Sequence, residues 1–98
     1  MKKTEGIVTE YDGICFLCGK PAECEHHLLF GAGIRKLAEE DGLKVPLCND
    51  CHNMGAAAGR IHGNSAAERL SKALGQAVFE VKIGSREEFR VRYGKSYL

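Results

Sequence analysis

No apolar run in this 98-residue chain approaches the length needed to cross a membrane. A secretory leader is not expected either: Met1-Lys2-Lys3 could open one, but residues 4–13 are too polar for its apolar centre. The chain contains no internal repeat, low-complexity tract or linker. It also lacks a charge excess, with a net charge of +1 that argues neither for nor against a polyanionic partner. Any nucleic-acid contact must therefore use a local basic patch. A reducing, cytoplasmic compartment is the expectation. There, the five cysteines are better read as metal ligands than as disulfides.

A chain this short buries a modest core and often needs a staple. Cys15-x-x-Cys18 and Cys48-x-x-Cys51 supply one. Two residues between thiolates let a tight turn present both sulfurs to one tetrahedral ion, and two such turns close a four-thiolate structural zinc site with no position open to substrate. Asp12-Gly13 and Gly19-Lys20-Pro21 are turn signals bracketing the first pair. Cys24, the odd cysteine, is expected to be a small core residue.

The remaining pattern is that of an α+β fold in one domain, 1–98, with a core at about 15–64 and C-terminal helices at about 65–93. Residues 1–14 alternate weakly and make at best an edge strand. Residues 24–30 read as a strand closed by Gly31-Ala32-Gly33, and Ile34–Asp41 as two helical turns stopped by Gly42. Residues 43–47 form a short strand that Pro46 confines to an edge or an end. A short helix can begin at Cys51, but Gly55 and Gly59 should end it. Asn64 or Ser65 can cap the best helix, with Leu70, Leu74, Ala77 and Val78 as its apolar stripe. Ser85-x-x-Glu88 is a capping box for a last helix.

Zinc between the two knuckles would bring together the segments just C-terminal to each: Glu25-His26-His27 and His52-Asn53. His52 points about 100° away from Cys51 on a helix, so the two can serve different sites. On one straight helix His62 would lie about 15 Å from His52. It joins that site only if the chain turns back, which Gly55, Gly59 and Gly63 permit.

This combination of knuckles, adjacent histidines and a later helical histidine resembles the HNH endonucleases of zinc-knuckle type. Small phage and prophage members, the Ref-like and YbcO-like groups, are similar over about residues 15–64. The resemblance implies a ββα-metal core and hydrolysis of DNA phosphodiesters with one catalytic divalent ion (Mg2+, Mn2+, Ni2+ or Zn2+). It makes His26, His52 and His62 ligands of that ion and His27 the general base. Where the family carries its central Asn this chain offers Asp41, with Asn49 and Asn53 nearby, so the residue orienting the base is unassigned. Arg35 is a candidate phosphate clamp, set against a plain solvated helix face with Lys36 and Glu39; Arg60 is read in the same way. Over residues 86–98, Arg86, Arg90, Arg92 and Lys95 interleave with Phe89, Tyr93 and Tyr97. Packing of the rings is the favoured reading, and the basic edge is a secondary DNA contact.

Two other classes compete with the nuclease. One is a non-catalytic zinc module that binds nucleic acid or protein. The other is a cross-brace with two structural zincs, in which a histidine replaces a thiolate.

Overall fold

The computed structural model describes residues 5–56 and 58–98. Strand β1 (Cys24–His27) pairs antiparallel with β2 (Lys44–Leu47), and helix α1 (Ile34–Asp41) connects them. A single π-helical turn, Asp50–Met54, comes next; α2 (Ser65–Lys82) and α3 (Arg86–Tyr93) complete the α+β fold. Among the described residues the sheet has two strands, so both are edges and Pro46 sits opposite Glu25 without interrupting a central ladder. Its carbonyl instead accepts the N–H of Phe16 at 2.8 Å and ties the first knuckle to the sheet. Among the described residues no helix is long and apolar enough to cross a membrane.

Several boundaries come directly from local chemistry. Gly42 takes a left-handed φ of 71° and closes α1. Asn64 caps α2 by accepting the Ala67 N–H, and Ser85 and Glu88 form the reciprocal capping box of α3. Residues 5–14 form no strand. The Thr9 hydroxyl takes the Tyr11 N–H, a local bond that competes with a ladder. The remainder of the expected edge strand, residues 1–4, lies outside the described residues.

The buried stripe of α2 also differs from expectation. Ser71, Gly75, Gln76 and Phe79 are its buried residues; of the expected stripe Leu74 and Val78 pack partly buried against the core, whereas Leu70 is 71% exposed. A buried serine, glycine and glutamine carry no apolar signal, so hydrophobic periodicity selects the neighbouring stripe. The reason lies under Gly75, where a Cβ would come within 3.1 Å of Leu28 Cβ and 3.0 Å of Leu29 Cγ. The helix can lie this close to the end of β1 only without that side chain.

Leu28 and Leu29 point into separate clusters. Leu28 joins Cys15, Val45, Leu47, Cys48 and Ile61 beneath the knuckles. Leu29 joins Ala38, Leu43, Phe79, Phe89 and Tyr93 beneath α2 and α3. Gly75→Leu is therefore expected to cost about 1–3 kcal/mol through overpacking. Leu70→Ser, on the solvent side, should stay within about 0.5 kcal/mol of wild type. Urea melts of the two variants check this, and equal losses would contradict the packing of α2 on β1.

Candidate metal centres and a histidine–carboxylate pair

The first knuckle is closed by Cys15 N–H on the Lys20 carbonyl at 2.6 Å and by Gly19 N–H on the Cys15 carbonyl at 3.0 Å. In the second, the His52 N–H reaches the Cys48 carbonyl at 3.1 Å. Together they bring the sulfurs of Cys15, Cys18, Cys48 and Cys51 within 4.8 Å of one another. Cys18 and Cys48 sulfurs are 3.6 Å apart. That is far beyond a disulfide bond and close to the ~3.8 Å edge of a tetrahedron with Zn–S distances of about 2.3 Å. Four thiols this close resist joint ionisation. Burial and then the neighbouring thiols push Cys51 up. Burial also raises Cys15, but the backbone N–H groups of Cys48, Cys18 and Leu17 outweigh it and hold that thiol at about 6. A divalent cation removes that conflict, and the four cysteines can hold a structural metal such as zinc.

His52 leaves the turn on the far side of Cys51. The chain then reverses: Gly55 ends the π-turn, Ile61 N–H bonds the Cys51 carbonyl at 2.8 Å, and His62 N–H bonds the His52 carbonyl at 3.0 Å. Arg60 stitches this return, donating to the carbonyls of His62 at 2.8 Å and Gly55 at 3.1 Å. Its guanidinium is committed to the loop and is not a free phosphate clamp. The reversal places three imidazoles in a triangle. His26 is 5.2 Å from His52 and 5.0 Å from His62, and His52 and His62 are 4.7 Å apart, ring centre to ring centre. One nitrogen from each lies within 4.8 Å of the others.

In each of the three histidines one nitrogen is held by an outer partner. His26 Nε2 is 2.8 Å from Ser71 Oγ, His52 Nδ1 is 3.4 Å from Cys24 Sγ, and His62 Nδ1 is 3.5 Å from a Glu68 oxygen. The Ser71 hydroxyl already donates to the Leu28 carbonyl at 2.9 Å, so it accepts from His26. Nε2 of His26 therefore carries the proton and Nδ1 a lone pair. That Nδ1 has no hydrogen-bond partner among the described residues, on a side chain that is fully buried. An unpaired acceptor in such a place is costly unless something else fills it. Burial first, and then the neighbouring His62 and His52, lower the pKa of His26 to about 3, so it is neutral at physiological pH. His52 is lowered for the same leading reason. Neutral imidazoles with fixed outer partners are the form that binds metal.

Successive strand side chains face opposite ways, and the histidine doublet obeys this rule. His26 joins the triangle, while His27 turns toward α1. There its Nε2 lies 2.8 Å from Glu39 Oε1, and its Nδ1 accepts from Arg35 Nε at 3.3 Å. Arg35 and Glu39, one helical turn apart, thus hold both nitrogens of one ring. The second Glu39 oxygen accepts from the buried Lys44 at 2.8 Å. Lys44 and then His27 lower the Glu39 carboxyl to about 2, so it remains a carboxylate.

In the sequence Glu39 is legible only as part of a solvated face, and its position facing His27 emerges from the packing of α1 on β1. Asp41 is occupied elsewhere, accepting from Arg92 Nε and the Tyr93 hydroxyl, each at 2.7 Å. Ser71 and Glu68 lie on α2, outside the segment the motifs cover, and carry no spacing signal. Among the described residues the clusters are all-cysteine and all-histidine, not the mixed sets of a cross-brace. Comparison with protein-family models, with curated proteins and with solved structures gave no match.

Proposed function

We propose that the chain is a metal-dependent endonuclease of HNH type that hydrolyses DNA phosphodiester bonds. The observation that carries this reading is the buried, unpartnered Nδ1 of His26 in a triangle with His52 and His62, with the next residue, His27, held on the other side of β1 by a carboxylate. In this reading His26, His52 and His62 hold one divalent ion (Mg2+, Mn2+, Ni2+ or Zn2+), separate from a structural zinc at the cysteines. When bound, that ion supplies a positive charge for the phosphate and the departing oxygen.

His27 acts as general base. Glu39 accepts its Nε2–H, which fixes the tautomer and leaves the Nδ1 lone pair for a water proton. The Arg35 guanidinium now resting on Nδ1 is the group a phosphate would draw away. Substrate arrival would then bare the base and place a cation on the phosphate in one movement. The attacking water forms the new P–O bond as His27 takes its proton, the old P–O bond breaks, and solvent protonates the leaving oxygen.

Titration with Co2+ by calorimetry tests the ligand set. Wild type is expected to take two equivalents per chain. His26→Ala and His52→Ala should each retain one, losing more affinity at the second than the about 10–100-fold expected for removing the outer partner in Ser71→Ala. A wild type that binds a single equivalent would rule out the histidine centre.

A further inference from the structure

A row of alternating rings and ammonium groups leads away from the histidine triangle. Phe30, the first residue beyond Leu29, packs its ring 4.8 Å from His62 and 5.6 Å from His26. The Lys72 ammonium lies over that ring at 4.6 Å and reaches the Tyr97 ring at 5.5 Å. Lys95 then stands 5.2 Å from the other end of the row, again over Tyr97.

The C-terminal segment is built into this position. Gln76, fully buried on α2, accepts the Tyr97 N–H at 2.6 Å and donates to Ser96 Oγ at 3.0 Å, which anchors the tail against the helix. Tyr97 also packs on Phe89 at 6.2 Å. Phe30, Lys72 and Tyr97 are each half-buried.

The charges along this row differ from those elsewhere on the molecule. Arg86, Arg90 and Arg92 are all consumed in ion pairs with Glu80, Glu87, Glu40 and Asp41. Lys72 and Lys95 take part in no ion pair among the described residues. A groove of about 1320 Å3 lies elsewhere, and its lining is mostly acidic, with Glu5, Glu10, Asp12, Glu23, Glu25 and Asp41 against Lys44 and Lys82. A phosphate chain would be repelled there.

We infer that the Phe30–Lys72–Tyr97–Lys95 row is a track for a short single-stranded segment of nucleic acid. The alternation fits that occupant. Bases present flat faces to aromatic rings while the backbone places a negative charge beside each lysine, and neither contact depends on sequence. A duplex keeps its bases stacked inside and offers the rings nothing. That the strand is the substrate of the histidine site rests on the nuclease reading; the binding surface does not.

The test uses the full chain carrying His27→Ala, so that the probe is not cut. A fluorescent oligothymidylate of about 12 nucleotides, within the ~4–16 range of strand-binding sites, is titrated against a duplex of equal length. The single strand is expected to bind more tightly. Lys72→Met with Lys95→Met should flatten the slope of log affinity against log salt by about 1.4, or about 0.7 for each lost phosphate contact. Tyr97→Leu should weaken binding about 5- to 150-fold. An unchanged slope in the double lysine variant, which leaves the packed rings intact, overturns the inference. So does tighter binding of the duplex, or no binding of either probe. Plasmid cleavage by wild type, run in parallel, separates the two ideas. Cleavage with duplex preferred removes the track and keeps the nuclease. Strand binding without cleavage removes the nuclease and keeps the track.

Discussion

Replacing His27 by alanine is expected to lower DNA cleavage about 10²–10⁴-fold while leaving both metal equivalents in place. The separation comes from where the side chain points. His27 faces Glu39 and Arg35 on α1, and none of its ring nitrogens belongs to the triangle of His26, His52 and His62. His26→Ala is expected to do the opposite, losing metal first and activity as a consequence, with partial rescue by excess metal. Glu39→Gln should act through His27, lowering kcat while KM for DNA holds. Metal affinity lost in His27→Ala but kept in His26→Ala would reverse the two roles. These measurements need cleavage assays and calorimetry on the same preparations, because loss of activity alone does not distinguish a ligand from a base.

Stripping metal from the cysteine cluster is expected to unfold the chain altogether. A structural zinc contributes apparent binding free energies of about 10–16 kcal/mol, which equals or exceeds the about 5–15 kcal/mol total stability of an ordinary domain. The reason is visible in the packing. Cys15 and Cys48 belong to the same buried cluster as Leu28, Val45, Leu47 and Ile61, and that cluster carries the end of β1 on which His26 and His27 stand. Cys48→Ser is expected to fail to fold in the same way. Cys24→Ala should fold, because its thiol lies outside the four-sulfur group and contacts the Leu47 carbonyl and His52 instead. Far-ultraviolet circular dichroism before and after chelation decides the matter. A spectrum that survives complete removal of zinc would contradict a structural role for the cluster.

The parts of this fold that can be read from sequence are those where one residue does one local job. Gly42 ends a helix because it accepts a left-handed φ without strain, Asn64 caps because its side chain reaches the Ala67 N–H, and Cys-x-x-Cys makes a knuckle because two residues suffice for the turn. The return of the chain from Met54 to His62 is also legible, since a continuous helix would part His52 from His62. The features that escape a sequence reading depend on contacts between distant segments. Apolar periodicity misplaces the buried stripe of α2 by one position, because Gly75 is selected by the approach of Leu28 and Leu29, and Ser71 and Gln76 by their hydrogen-bond partners. Glu39 becomes the partner of His27 only through the packing of α1 against β1. The basic edge of α3 looks freer in sequence than it is for a related reason. Its arginines meet acids on α1, α2 and α3 itself, and among the described residues Lys95 is the one member of that set outside an ion pair.

The most direct test of the nuclease reading is cleavage of supercoiled plasmid by wild type, with Mg2+, Mn2+, Ni2+ and Zn2+ supplied in turn and His27→Ala alongside. Nicked or linear product is expected with at least one of the four metals, falling about 10²–10⁴-fold in the variant. No cleavage by wild type with any of them, or equal cleavage by wild type and His27→Ala, would contradict it.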